Sequence, residues 1–239
     1  MCTVTFLPLG SKGFILTSNR DESPARLPAG APGCYRLHGQ RLIFPRDPAG
    51  GGTWIATAGN GVSLCLLNGA FGAHQPRPPY RQSRGQVLLD FFAYDYAGEF
   101  ATQYDFSGIE PFTLLVVRTE PARSLSEIRW DGHAVHLAAK DAGRPHIWSS
   151  ATLYAPAVVR QREGWFADWL CDRDAFRVED ILHFHHFAGG GDAANGLRMH
   201  RQNGHRTVSI TSIARQGRGE HLMVYEDLVQ RREQTYRIM

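Results

Sequence analysis

What most constrains this chain is the order of its strand-like and helix-like segments. Thr3 to Leu7 alternates and Gly13 to Ser18 is an apolar run. Trp54 to Ala58 and Val62 to Leu67 are two more such runs, with Gly59-Asn60-Gly61 between them as the tight turn of a hairpin. The Gly/Pro-rich stretch from Pro28 to Pro48 reads as a long link, and Pro76 to Pro79 as an exposed loop. A helix follows, capped by Ser83, with Val87, Leu88, Phe91 and Phe92 on one face and Gly98 as its stop. Phe112 to Val117, Glu127 to Trp130 and Ala134 to Leu137 return to strand, the last two joined at Asp131-Gly132. Pro156 opens a helix to about Leu170, and Val178 to Phe187 forms another, ended by Gly189-Gly190-Gly191. Thr207 to Ala214, His221 to Tyr225 and Thr235 to Ile238 are strands again.

Strict strand–helix–strand alternation is absent, which excludes a parallel doubly wound sheet, and no internal repeat is present. Antiparallel sheets with helices on their outer faces, an α+β layered domain, fit this order. No composition shift marks a boundary, so residues 1–239 read as one domain.

The chain has 239 residues, enough for a substantial core, with 43% hydrophobic, 11% aromatic and 21% charged residues. These values exclude a disordered or collagen-like chain. A formal charge of +3, spread along the chain, is no nucleic-acid footprint. There is no apolar run of the length that spans a membrane, and the start lacks a basic and apolar leader, so a cytoplasmic location is expected. Cys2, Cys34, Cys65 and Cys171 form no Cys-x-x-Cys pair, which argues against a zinc or redox motif.

Chemistry concentrates at the start. Cysteine is small enough at position 2 for methionine aminopeptidase to remove Met1, which would leave a thiol and an α-amine on one carbon. An α-amine titrates near pH ~7.7–8.0, suited to a general base at neutral pH, so a terminal nucleophile carries its own base. If the first two strands form a hairpin through Gly10 to Gly13, residues 18 to 21 lie beside the start of the chain. Arg20 there would lower a thiol pKa, and Asp21 would hold and orient the α-ammonium.

Met1-Cys2, Asn19-Arg20-Asp21-Glu22 with Arg26 and Pro28 behind it, and Gly51-Gly52-Thr53-Trp54 resemble the NRDE family, also called the transport and Golgi organisation 2 family. Ser83-Arg84-Gly85 and Gly204-His205-Arg206-Thr207-Val208 resemble further blocks of it. The resemblance runs from Cys2 to about Glu226. It implies a four-layer αββα N-terminal-nucleophile hydrolase-like fold with two stacked antiparallel sheets. It also implies kinship with choloylglycine hydrolases and penicillin V acylases, cysteine enzymes that cleave non-peptide amides. By that resemblance Cys2 is the nucleophile, Arg20 its electrostatic partner, Asp21 the orienting group and Asn68 the oxyanion donor. Arg206 matches a late arginine of those sites, and Asn19, Trp54 and Ser149 are expected to line the substrate site. Where the family shows Leu-Thr-Asn and Ser-Asn, this chain has Leu66-Leu67-Asn68 and Ser149-Ser150.

Two functions follow. The first is an amidohydrolase for a small acylated amide, with no cofactor required. The second is a non-catalytic protein that binds or moves haem or an acyl-CoA or lipid ligand in the same pocket, because eukaryotic members are associated with such traffic. His183, His185 and His186 are the candidate haem ligands, since His183 and His186 lie one turn apart on a helix. No carboxylate stands at zincin spacing, the bland reading is a partly buried helix end, and no metal site is expected.

Overall fold

The computed structural model describes residues 3–171, 173–217 and 219–238. They form two compact units, each assembled from separate stretches of chain, so that no single point in the sequence divides them.

Unit 1 comprises Met1–Arg26, Gly143–Ser149 and Tyr154–Arg237. Its sheet contains β1 (Thr3–Leu9), β2 (Gly13–Glu22), β10 (His146–Ser149), β11 (Arg206–Arg215), β12 (His221–Asp227) and β13 (Arg232–Arg237). They run β10-β1-β2-β11-β12-β13, every pairing antiparallel. The expected hairpin sets the register: Thr3 pairs with Asn19 on one side and with Ser149 on the other. Alternation then sorts the side chains. Leu7, Ile15 and Ala214 join Phe166 of α3 (Pro156–Cys171), Ile181 and Phe184 of α4 (Val178–Phe187), and Leu197 in one apolar cluster. Val4, Leu16, Ser18 and Arg20 belong to the opposite face.

Unit 2 comprises Leu27–Ala142, Ser150–Leu153 and Ile238–Met239. Its seven-stranded antiparallel sheet follows chain order: β3 (Gly30–Leu37), β4 (Gln40–Arg46), β5 (Ile55–Ala58), β6 (Val62–Asn68), β7 (Phe112–Arg118), β8 (Ser124–Trp130) and β9 (Val135–Lys140). Helices α1 (Arg84–Asp90) and α2 (Ala97–Gln103) pack on it.

Two local expectations need correction, and one strand carries no signal in the sequence. The stretch expected as a link, Pro28 to Pro48, contains β3 and β4. β3 is the sheet edge, where proline and glycine cost least, and a bulge between Gly30 and Gly33 absorbs the irregularity. Gly98 does not end the first helix. That helix stops at Asp90, continues as a 3₁₀ turn over Phe91–Ala93, and Gly98 lies inside α2. Strand β10 has only four residues and gave no period to read. The Ser83 cap is as expected, with its Oγ accepting from the Gln86 N–H at 3.3 Å.

Candidate active site

Asn19, Arg20 and Asp21 end a strand whose neighbours on both sides are fixed. Asp21 pairs with Thr207, and Arg20 pairs with Ser209 across a bulge in β11. The Asp21 carboxylate is 4% exposed and takes a donor on each oxygen. The Tyr154 hydroxyl donates to Oδ2 and the Thr207 hydroxyl to Oδ1, both at 2.5 Å. Thr207 Oγ1 is held in turn by the Met199 N–H at 2.9 Å. Charge-assisted bonds of this kind keep a buried carboxylate in one orientation and leave lone pairs for another donor.

Tyr154 is itself held. The guanidinium of Arg162, fully buried, lies 3.7 Å from its ring centroid, and that of Arg201 lies 5.3 Å away. Arg162 donates to Thr3 Oγ1 at 2.5 Å, to the Gly196 carbonyl at 2.8 Å and to the Asn195 carbonyl at 3.0 Å. One side chain thus ties the entry of β1 to the tyrosine that binds Asp21. Arg20, 3% exposed, contacts Glu22 at 3.3 Å. Burial pushes the Tyr225 phenol up; Asp227 adds to this, and the Ser209 hydroxyl and the Arg20 guanidinium oppose it.

Asn19 faces the helices instead. Its Nδ2 donates to the Leu197 carbonyl at 2.7 Å and the His185 carbonyl at 3.3 Å, and its Oδ1 accepts from His185 Nδ1–H at 2.6 Å. Burial, with smaller contributions from His186 and Arg162, lowers the His185 pKa to about 3. The ring is therefore neutral, and the Thr5 hydroxyl donates to its Nε2 at 2.8 Å. Its neighbours point elsewhere: His186 pairs with Glu226 at 2.5 Å and exposed His183 packs on Phe187. Among the described residues, no group of three or more His, Cys, Asp or Glu side chains could hold a metal.

Within unit 1, then, Ser149 and Asn19 flank Thr3 at the start of β1, Arg20 and Asp21 continue β2 beyond it, and exposed Arg206 opens β11 opposite Glu22. Cys2, expected as nucleophile, and the fate of Met1 lie outside the described residues. Trp54 and Asn68 belong to unit 2. Trp54 is buried, its carbonyl bonded by the Leu66 N–H at 2.8 Å. Asn68 ends β6, its carbonyl accepting from Ser150 Oγ at 2.9 Å, and the following N–H, of Gly69, is bonded to Pro111. Among the described residues its half-buried side-chain amide makes no hydrogen bond. Sequence reasoning missed Tyr154, Arg162 and the hydroxyl of Thr207. Arg162 left a signal, a charge on the apolar stripe of Val159, Phe166 and Trp169.

A family model described as Transport and Golgi organisation 2 matches residues 1–181. The chain belongs to that family. The expectation drawn from its motifs is thereby met. No curated protein sequence matches the chain. Solved structures similar to this family member include two variants of a conjugated bile acid hydrolase from Clostridium perfringens. Each has 9% identity and a TM-score of 0.61, over 99% of this chain and 92% of that one. A Caenorhabditis elegans N-acylethanolamine-hydrolyzing acid amidase ortholog has 11% identity and a TM-score of 0.57, over 89% and 92%. At such identities the likeness concerns the fold, which is the N-terminal-nucleophile hydrolase-like α+β fold expected from the sequence. Among the described residues, no helix is long and apolar enough to cross a membrane.

Proposed function

We propose that this protein is an N-terminal-nucleophile cysteine amidohydrolase acting on a linear amide of a small acylated substrate. With Met1 removed, the α-amine of Cys2 accepts the thiol proton and the thiolate attacks the amide carbonyl. The side chain of Asn68, with backbone N–H groups, donates to the oxyanion. The α-ammonium returns its proton to the leaving amine, the C–N bond breaks, and water hydrolyses the thioester to release the acid. Arg20 favours the thiolate, and Asp21 holds the α-ammonium.

The observation that carries this reading is the buried Asp21 carboxylate, fixed by Tyr154 and Thr207 on the strand that pairs with the entry of β1. The half-buried amide of Asn68 adds to it, and so does the fold shared with proteins named as a bile acid hydrolase and an acid amidase.

The test is intact mass before and after treatment with an electrophilic acyl-amide probe, beside Cys2→Ala, together with turnover of a panel of N-acyl amides. The expected result is a chain lacking Met1, an adduct lost in Cys2→Ala, and hydrolysis that Asn68→Ala slows about 10²–10³-fold. A retained Met1, or an adduct confined to the exposed thiols of Cys34 and Cys171, would overturn the proposal.

A further inference from the structure

Unit 1 also carries a depression of about 250 Å³ at the end of the β2–β11 pair where Arg206 and Thr207 face Glu22 and Asp21. Its floor is Met199 and Thr207, 2% and 5% exposed, joined by the Met199 N–H to Thr207 Oγ1 bond that also steadies Asp21. One wall is Leu228 and Val229. The Leu228 N–H is bonded to the Val208 carbonyl at 2.9 Å, and Val229 stays 47% exposed. Around the rest of the rim stand Arg198, His200 and Arg206, all exposed.

The charge there is one-sided. Among the described residues, no carboxylate lines the depression. Acids adjacent in sequence or register are committed elsewhere: Asp21 to Tyr154 and Thr207, Glu22 to Arg20, and Asp227 to the N–H groups of Val229 and Gln230 in its own turn. Among the described residues, neither Arg198 nor Arg206 makes an ion pair. Two guanidiniums lining one small concavity make it cationic, and their forked N–H groups suit a carboxylate or phosphate.

We propose that this depression binds a small amphipathic organic anion. Its carboxylate or phosphate head is held by Arg198 and Arg206, and its apolar part lies on Leu228 and Val229. The depression shares Arg206 and Thr207 with the candidate active site, but its occupancy is read by binding alone, so its failure is distinguishable from a failure of turnover by Cys2.

Calorimetric titration with octanoate, octyl phosphate, octanol and octylamine tests it on the wild type, Arg198→Gln, Arg206→Gln and Val229→Ser. Both anions, or one in preference, should bind and weaken as salt rises, whereas octanol and octylamine should not bind. Each arginine variant should lose about tenfold in affinity, and the valine variant less. On the wild type, octanoate or octyl phosphate should also shield Arg198 and Arg206 from phenylglyoxal, a readout that needs no variant to fold. Absence of anion binding, equal binding of octanol, undiminished binding by both arginine variants, or unshielded arginines would overturn the site.

Discussion

Two regions carry family-like motifs, and they work by opposite means. In unit 1, Asn19-Arg20-Asp21-Glu22 and Thr207 make polar contacts: a carboxylate with two donors, an arginine on a glutamate, an amide on a histidine. In unit 2, Gly51-Gly52-Thr53-Trp54 and Ser83-Arg84-Gly85 meet backbone to backbone. The Thr53 N–H donates to the Gly85 carbonyl at 3.2 Å, and a Cβ on Gly52 would stand 2.2 Å from the Gly85 carbonyl carbon. The first motif is specific because of what its side chains bond. The second is specific because of side chains that must be absent. A motif's sharpness in sequence therefore does not say whether it is chemical or steric.

Substitutions can break this contrast. Gly52→Ala should have the largest effect, about 4 kcal/mol or more of lost stability in denaturant unfolding, because backbone cannot retreat as a flexible side chain can. A loss under 1 kcal/mol would show that the two loops separate easily. Arg162→Ala should cost about 3–5 kcal/mol, since it leaves the Asn195 and Gly196 carbonyls and the Thr3 hydroxyl without their donor. Tyr154→Phe keeps the ring against Arg162 and removes one donor to Asp21, so it should cost about 1–3 kcal/mol. If the proposed mechanism holds, it should also lower kcat more than it raises KM.

Another effect is graded by pH and is small near neutrality. His185, lowered to about 3, stays neutral in the fold, whereas an unfolded histidine titrates near pH ~6.5. Its contribution is present in full above the unfolded value. Between that pH and about 3 the unfolded chain binds a proton that the fold excludes, so stability falls with acidification, by up to about 1.4 kcal/mol per pH unit. His221, lowered to about 4 mainly by burial, acts in the same direction. Melting curves across this range should be steeper for wild type than for His185→Gln. Hydrogen exchange should loosen β2 and β11 before β6 and β7, and a uniform loss of protection would erase the contrast between the units.

Much of the fold was legible because its turns are explicit. Gly59-Asn60-Gly61 and Asp131-Gly132 fixed two hairpins, and the apolar runs fixed their strands. β3 and β4 escaped because edge residues need no apolar period, and Gly98 misled because it stands in open space within a short helix. At the candidate site, Arg20 and Asp21 could be read since a hairpin returns them to the start of the chain. Tyr154, Thr207 and Arg162 reach Asp21 or Thr3 across 133, 186 and 159 residues of sequence. No local period encodes such contacts.

The interleaving of the units has a consequence for biosynthesis. Unit 2 is nearly one continuous stretch, Leu27–Ala142, and its sheet follows chain order, so its pairings become available as translation proceeds. The β1–β2 hairpin emerges first but waits for β11, as the bond between Thr17 and Ser212 closes a separation of 195 residues. Until then the strand bearing Arg20 and Asp21 has an unpaired edge in the nascent chain, exposed to aggregation and to any factor that guards it. The candidate site is thus begun on β2 and completed only when β11 arrives.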